Sequence, residues 1–352
     1  MCMVTFDWED CDAKKKVELF NKKKTPPWAI IELTDQCNFN CIWCYANSGP
    51  KGQHMNKKKV EKIIKAFADS GIIQITFSGG EPLLYPYIKE AIKIAKDYGM
   101  IIHMNTNGYL LTKKLAKELY KLGLTQVQIN IDSLNPEIHD RIRGRKGSFN
   151  RAVQALKNAK DAGLICVSQT VLTKQNENEI IDIFKFARSI GTQRCRVWDM
   201  MLMGRGEGKM DLRPTDYINT LKKLAEFAYK TGAKNIESGD PLFPLDYKTK
   251  LSITGGYCAT LAGLVIIVSS KGDIYFCCAK RDKMYNIFDV LGRKESIIDF
   301  HNFKLNQYKF QLKIFSECKL CNHFIVCKGG CPARIKFMKS SKDYWCPYLR
   351  NH

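Results

Sequence analysis

Three cysteines fall within one short stretch, Cys37-Asn-Phe-Asn-Cys41-Ile-Trp-Cys44, directly after the apolar run Trp28-Ala-Ile-Ile-Glu-Leu-Thr34. Thiolates separated by three and then two residues can wrap one side of a metal centre and leave its remaining position without a protein ligand. Iron–sulfur clusters are ordinarily held by four thiolates, so a three-cysteine loop implies an iron with a site open for chemistry. The same spacing also fits half of a zinc site, which draws on the same soft ligands. A second set lies far downstream: Cys258, then thirteen residues, Gly272, four residues and Cys277, followed by Cys318-x2-Cys321-x5-Cys327-x3-Cys331 and Cys346. Taken alone, that set is compatible with auxiliary clusters or with two zinc knuckles.

Between the two sets come turns that suit a polar ligand. Ser78-Gly79-Gly80-Glu81-Pro82 combines two glycines, which let another group approach the backbone closely, with a carboxylate able to receive a cationic amine. Asn105-Thr-Asn-Gly108 and Asn130-Ile-Asp132-Ser133 follow, then His139 and Arg143. His139 reads as a loop-stabilising residue. Arg205, in Gly-Arg-Gly, suits either a substrate carboxylate or plain solvation, and Asp199, Asp240 and Tyr257 stand as acid–base candidates with equal claim to structural roles.

The elements that must position these residues have a regular rhythm. Strands are expected at Trp28 to Thr34, Ile72 to Ser78, Ile101 to Asn105, Gln126 to Ile131, Ile165 to Val171 and Gln193 to Trp198. Amphipathic helices alternate with them. One is capped by Asn56 and carries Val60, Ile63, Ile64 and Phe67, another opens at Thr112 with Leu115, Leu119 and Leu122, and a third shows Ile180, Phe184 and Ala187. Gly71, Gly99, Gly123, Gly163 and Gly191 sit just past helices, where a left-handed cap favours glycine. Six strand–helix units imply parallel strands with right-handed crossovers. The reactive loops then gather at the carboxyl ends of the strands.

The rhythm leaves open whether the sheet stays open or curls toward a barrel; the expected fold class is α/β, and the resemblance given below implies a partial (β/α)6 barrel followed by a small cysteine-rich α+β extension. The expected division is a lead-in at 1–27, the barrel at 28–231, with a long helix at about Thr215 to Lys230, an irregular connection at 232–257 containing Pro241 and Pro244, and the extension at 258–352. The extension is expected to open with a hairpin, Val265 to Ser269 and Ile274 to Cys278. Cys2 and Cys11 have no partner spacing, and Cys166 and Cys195 read as core residues.

A hydrophobic fraction of 45% with 11% aromatic residues places the chain among globular proteins. No apolar run approaches the ~20 residues of a membrane span, and the opening residues carry no export signal. Fifteen cysteines without such a signal argue for metal ligation in a reducing compartment, here read as the cytoplasm. The 56 Lys and Arg against 35 acids give a net charge of +21. Because the lysines scatter over helix faces, as at Lys57, Lys58, Lys59, Lys62 and Lys65, this reads as a solvated surface in preference to a nucleic-acid footprint. An acidic substrate would also be steered by such a field.

The Cys-x3-Cys-x2-Cys loop with Trp43 before its last cysteine, together with Gly79-Gly80-Glu81-Pro82 after the second strand, resembles the radical S-adenosylmethionine (radical SAM) superfamily. The downstream cysteines resemble that superfamily's SPASM extension. The resemblance implies that Cys37, Cys41 and Cys44 hold one [4Fe–4S] cluster whose open iron binds S-adenosylmethionine. It implies that Trp43, Gly79, Gly80, Glu81, Pro82, Asn130 and Arg143 contact that cofactor, with Asn130 standing where relatives often have serine. It further implies one or two auxiliary clusters, one on Cys318, Cys321, Cys327 and Cys346 and the other on Cys258, Cys277 and Cys331. The second of these lacks a fourth cysteine in the pattern. Cys278, a non-cysteine group or substrate remain open for that position, and strand alternation turns Cys278 away from Cys277.

The activity implied is reductive cleavage of S-adenosylmethionine and abstraction of a substrate hydrogen, with a reductant such as flavodoxin or ferredoxin. The substrate implied is a peptide or protein side chain, to be oxidised, crosslinked or epimerised. With 27 residues before the first strand, leader recognition would fall to a separate protein or to the cavity. The alternatives are a small-molecule substrate, namely a porphyrin precursor decarboxylated in heme synthesis, and an iron–sulfur electron carrier without catalysis.

Overall fold

In a computed structural model, the described residues are 25–209, 211–231, 236–238, 253–254, 258–261, 263–293, 296–311, 316–321, 324, 329–339, 343 and 346. The lead-in up to residue 24, with Cys2 and Cys11, and the candidates Asp240, Tyr257 and Cys327 lie outside them.

Strand and helix alternate through the first two hundred residues. The order is β1 (Trp28–Glu32), α1 (Lys57–Asp69), β2 (Gln74–Ser78), α2 (Ile88–Asp97), β3 (Ile101–Asn105), α3 (Lys113–Leu122), β4 (Gln126–Asn130), α4 (Pro136–Arg143), α5 (Ser148–Ala162), β5 (Ile165–Leu172), α6 (Ile180–Ser189), β6 (Arg194–Asp199) and α7 (Pro214–Thr231). Then come β7 (Ile236–Ser238), β8 (Ile253–Thr254), β9 (Val265–Val268), β10 (Asp273–Cys277), β11 (Lys280–Asn286), α8 (Ile297–Gln311), α9 (Ser316–Leu320) and α10 (Pro332–Phe337).

Several helices start where the sequence supplies a side-chain cap. Asn56 accepts from the Lys58 amide before α1, and Thr112 from that of Leu115 before α3. Such side-chain caps are worth about 1 kcal/mol each. On α1 the apolar stripe Val60, Ile63, Ile64 and Phe67 is wholly buried. At roughly 1.5–3 kcal/mol per large apolar side chain, its burial far outweighs the caps. All five glycines expected behind helices have positive φ; at Gly123 (φ 115°) the left-handed cap closes α3.

Among the described residues all strands join one sheet in the order β11-β10-β9-β1-β2-β3-β4-β5-β6-β7-β8. Every pairing from β9 through β8 is parallel, whereas β9–β10 and β10–β11 are antiparallel. The sheet curls, because side chains from each of β1 to β6 line a single cavity of about 210 Å³. Its outer face carries Ile31, Ile75, Phe77, Ile102, Met104, Val127 and Ile129 into the main core under the helices.

Two departures from expectation concern the ends of this sheet. The stretch 232–257, read as irregular, contributes two short strands, and β7 extends β6 in parallel with Cys195 opposite Ile236. The expected hairpin forms with Val268 opposite Ile274, but it continues into β11, whose charged start Lys280-Arg-Asp-Lys283 hides the strand in the sequence. The hairpin also adds directly to the barrel, with β9 lying parallel to β1.

Candidate active site

The reactive loops do gather at the carboxyl ends of the strands. The cysteine loop follows β1, Gly79 and Gly80 follow β2, Thr106 and Asn107 follow β3, and Asn130 ends β4; all of them border the cavity, with Arg143, Trp198, Asp199 and Arg205. Cys37, Cys41 and Cys44 all face it. Burial pushes the Cys37 thiol up to about 12 and raises that of Cys41, with Arg143 opposing both. Buried thiols of this kind stay protonated and inert until a cation draws off the proton. Among the described residues no three His, Cys, Asp or Glu side chains converge on a single metal ion. Three thiols spread around one cavity instead suit a larger cluster.

The loop is held from several sides. The Cys37 amide donates to Gly49 O at 2.7 Å and the Ile42 amide to Ile142 O at 3.0 Å. Arg205 donates through Nε to Cys41 O at 2.7 Å and through Nη1 to Ser48 O at 2.8 Å and Asn47 Oδ1 at 3.1 Å. The reading of Arg205 as simply solvated is thus corrected: it clamps the cysteine loop while bordering the cavity. Gly144 permits the close approach, since a Cβ there would lie 2.2 Å from Asn40 O.

The glycine turn works differently from expectation. A Cβ at Gly79 would meet Thr34 O at 2.4 Å and one at Gly80 would meet Gln36 O at 2.2 Å. The two glycines therefore make room first for the chain's own backbone leading into the cysteine loop. Glu81 is buried and stands behind the wall. Its carboxylate accepts from Thr106 Oγ1 at 2.6 Å, the Asn107 amide at 2.7 Å and the Leu83 amide at 3.0 Å. Burial raises its pKa against these bonds. Glu81 thereby fixes the Asn107 loop, whose side-chain amide donates to Asn38 Oδ1 at 2.7 Å. Pro82 is buried in the short 3-10 turn behind.

Arg143 stands beside all three thiols and pairs with the buried Asp132 at 3.4 Å. Burial alone would lower its pKa, but Cys41 and Asp132 raise it and keep it charged. Asn130 faces the cavity, with its amide 3.5 Å from Asp132 Oδ1. His139 accepts from the Asp132 amide at 3.1 Å, and burial lowers it to about 4, so it braces the loop as a neutral ring.

Sequence reasoning missed the strand interiors. Gln126, Gln128 and Asn130 recur at every second position of β4, and Gln74, Thr76, His103, Gln169 and Arg196 project from the neighbouring strands into the same cavity. Strands covered by helices on both faces read as continuous apolar runs, so polar residues at period two were the available signal. On this polar wall Trp43 Nε1, Trp198 Nε1 and Gln74 Oε1 are buried without hydrogen-bond partners. Buried polar atoms rarely go unmet, so the wall is shaped to be completed by a ligand.

Cys258, Cys277 and Cys331 are buried and lie within electrostatic reach of one another. Cys318, Cys321 and Cys346 are described, without Cys327. Cys278 does not turn away from Cys277. The strand ends at Cys277, the chain turns, and the two thiols hydrogen-bond while Cys278 reaches the cavity wall. Cys166 and Cys195 are core residues.

Among the described residues no helix is long and apolar enough to cross a membrane. The family profile described as Radical SAM superfamily matches residues 31–187. The chain is 28% identical over 327 residues to the mycofactocin maturase MftC of Mycolicibacterium smegmatis, covering 90% of this chain and 81% of that one. It is 31% identical over 193 residues to an AdoMet-dependent heme synthase of Methanosarcina barkeri, covering 54% and 55% of the two chains. Its fold is similar to that of Streptococcus suis SuiB bound to its precursor peptide SuiA, with a TM-score of 0.74, 19% identity and coverage of 98% and 84%. Residues 31–187 carry a radical SAM domain, and the chain is an enzyme that uses S-adenosylmethionine and a [4Fe–4S] cluster.

Proposed function

We propose that this enzyme modifies a peptide or protein side chain, with Cys37, Cys41 and Cys44 holding the four-iron cluster and Cys258, Cys277 and Cys331 helping to hold an auxiliary one. When bound, the cluster and S-adenosylmethionine would supply radical chemistry able to remove a hydrogen atom from the substrate. The protein's own residues do the rest. Arg205 and Gly144 fix the cysteine loop, Glu81 fixes the Asn107 loop beside Cys37, and Arg143 offers a charged guanidinium suited to the cofactor carboxylate. The curled sheet encloses the reaction and limits contact with water.

The observation that carries the choice of substrate is the charge balance of the cavity wall. Its cationic side chains among the described residues are Arg143, Arg196 and Arg205. Arg143 pairs with Asp132, Arg196 with Glu237, and Arg205 is spent on carbonyl oxygens. His103 is held neutral, its pKa lowered by burial to about 3. Asp199 pairs with Arg334 at 3.0 Å. The excess positive charge of the chain is therefore not concentrated where the substrate lies. A row of amides with paired charges suits a neutral peptide segment, whereas a porphyrin precursor presents several carboxylates that need cationic partners.

A reductant of the flavodoxin or ferredoxin type and a separate leader-binding protein complete the proposal. Anaerobic, reduced protein is incubated with S-adenosylmethionine and either short peptides encoded beside its gene or coproporphyrin, and 5′-deoxyadenosine and substrate mass are followed. A peptide losing hydrogen mass is the expected result. Decarboxylation of the porphyrin, with every peptide unchanged, would overturn it.

A further inference from the structure

The auxiliary group as read from sequence has three thiols, Cys258, Cys277 and Cys331, where clusters ordinarily have four. A fourth thiol stands next to them. Cys278 is buried and shares one packed cluster with Cys277, Cys331, Ala259 and Phe276. Its thiol hydrogen-bonds that of Cys277, because β10 stops at Cys277 and the following turn brings the two side chains to the same side. The Ala279 amide donates to Cys277 Sγ at 3.3 Å, which pins this turn. Cys278 also lines the main cavity, which Cys37, Cys41 and Cys44 border as well.

We infer that Cys278 is the fourth thiolate ligand of the auxiliary cluster and the ligand that this cluster turns toward the substrate cavity. The inference rests on the reading that Cys258, Cys277 and Cys331 hold iron. On ligation Cys278 loses its proton and contributes one Fe–S bond. One wall of the substrate cavity is then an iron-bound sulfur, and a substrate seated there lies beside the auxiliary centre with no further layer of protein between.

The test uses the full chain with Cys37, Cys41 and Cys44 replaced by alanine, so that auxiliary iron is read alone. Iron content and the electron paramagnetic resonance spectrum of the reduced centre are compared for this parent and for added Cys278→Ser and Cys278→Ala. The expected result is a shifted spectrum with iron retained for serine, and a shifted spectrum with loss of iron on mild oxidation for alanine. Unchanged spectra and full iron in both would overturn the assignment. Should the variants fail to fold, the unaltered, cluster-loaded protein is treated with iodoacetamide and its thiols are mapped by mass spectrometry. Protection of all four cysteines, with labelling at least about tenfold faster after iron removal, is expected of ligated thiolates. Labelling of Cys278 while Cys258, Cys277 and Cys331 stay protected would remove Cys278 alone. A parent without iron would instead overturn the auxiliary-cluster reading beneath it.

Discussion

The Cys37–Cys44 loop and the Cys258, Cys277 and Cys331 group each offer three thiols, yet they are built in opposite ways. The first is one short loop clamped by backbone and guanidinium hydrogen bonds from the Gly49, Ile142 and Arg205 segments, with Cys41 and Cys44 partly exposed. The second draws its thiols from sites far apart in sequence and buries them beside apolar side chains such as Ala259, Phe276 and Leu305. Burial raises thiols in both regions, Cys37 and Cys331 up to about 12 and Cys41 and Cys258 in the same direction, so the two differ in what holds the thiols and not in how they are shifted. A loop shaped by the protein itself can exchange what sits on its metal without losing its form. Thiols packed among hydrocarbon depend on iron to offset their desolvation.

The sharpest way to break this contrast is to replace Cys37, Cys41 and Cys44 together by alanine. Cleavage of S-adenosylmethionine should fall well beyond the ~100-fold that loss of a supporting contact costs, while auxiliary iron stays bound. Loss of all iron, measured by metal analysis, would mean that the two regions assemble as one. Next in size is Arg205→Ala, which removes the clamp and leaves the thiols. A fall in cleavage of about ten- to hundredfold at near-normal iron content is expected, whereas unchanged rates would show the loop to be self-supporting.

The smallest effect concerns acid. His139 supports the first region, and His301, on α8, is bonded to Tyr285 at 3.0 Å at the edge of the main core. Burial lowers each to about 4. The unfolded chain therefore takes up protons between about pH 6.5 and 4 while the folded chain does not, so stability is lost as pH falls through that window. By pH 5 each histidine costs about 2 kcal/mol. Urea unfolding at pH 7 and pH 5 should show less acid loss for His139→Gln and His301→Gln than for the parent, and equal loss would remove the assignment.

Local signals carried far in this sequence. Asn56, Thr112 and the post-helix glycines act within a few residues of themselves, and the elements they bound appear where expected. What failed depended on partners distant in the chain. Arg205 gives no hint that its guanidinium meets Cys41, because the two are brought together only by the curl of the sheet. Glu81 likewise gives no hint that its carboxylate binds Thr106 and Asn107. Cys278 was misread by extending strand alternation one residue past the strand's end. The polar rows of β2 and β4 stand in the sequence at period two, where a strand buried on both faces would carry apolar residues.

The pairing of β9 with β1 has a consequence for synthesis of the chain. Trp28 to Ile31 find their neighbours Val265 to Val268 only after more than two hundred intervening residues have been made. Until then one edge of an apolar first strand is unpaired, and such edges invite pairing with other chains. Contacts this distant also form slowly. The nascent barrel is thus exposed to aggregation until the hairpin leaves the ribosome, and a truncation that removes β9 should yield insoluble protein even though every barrel helix is present.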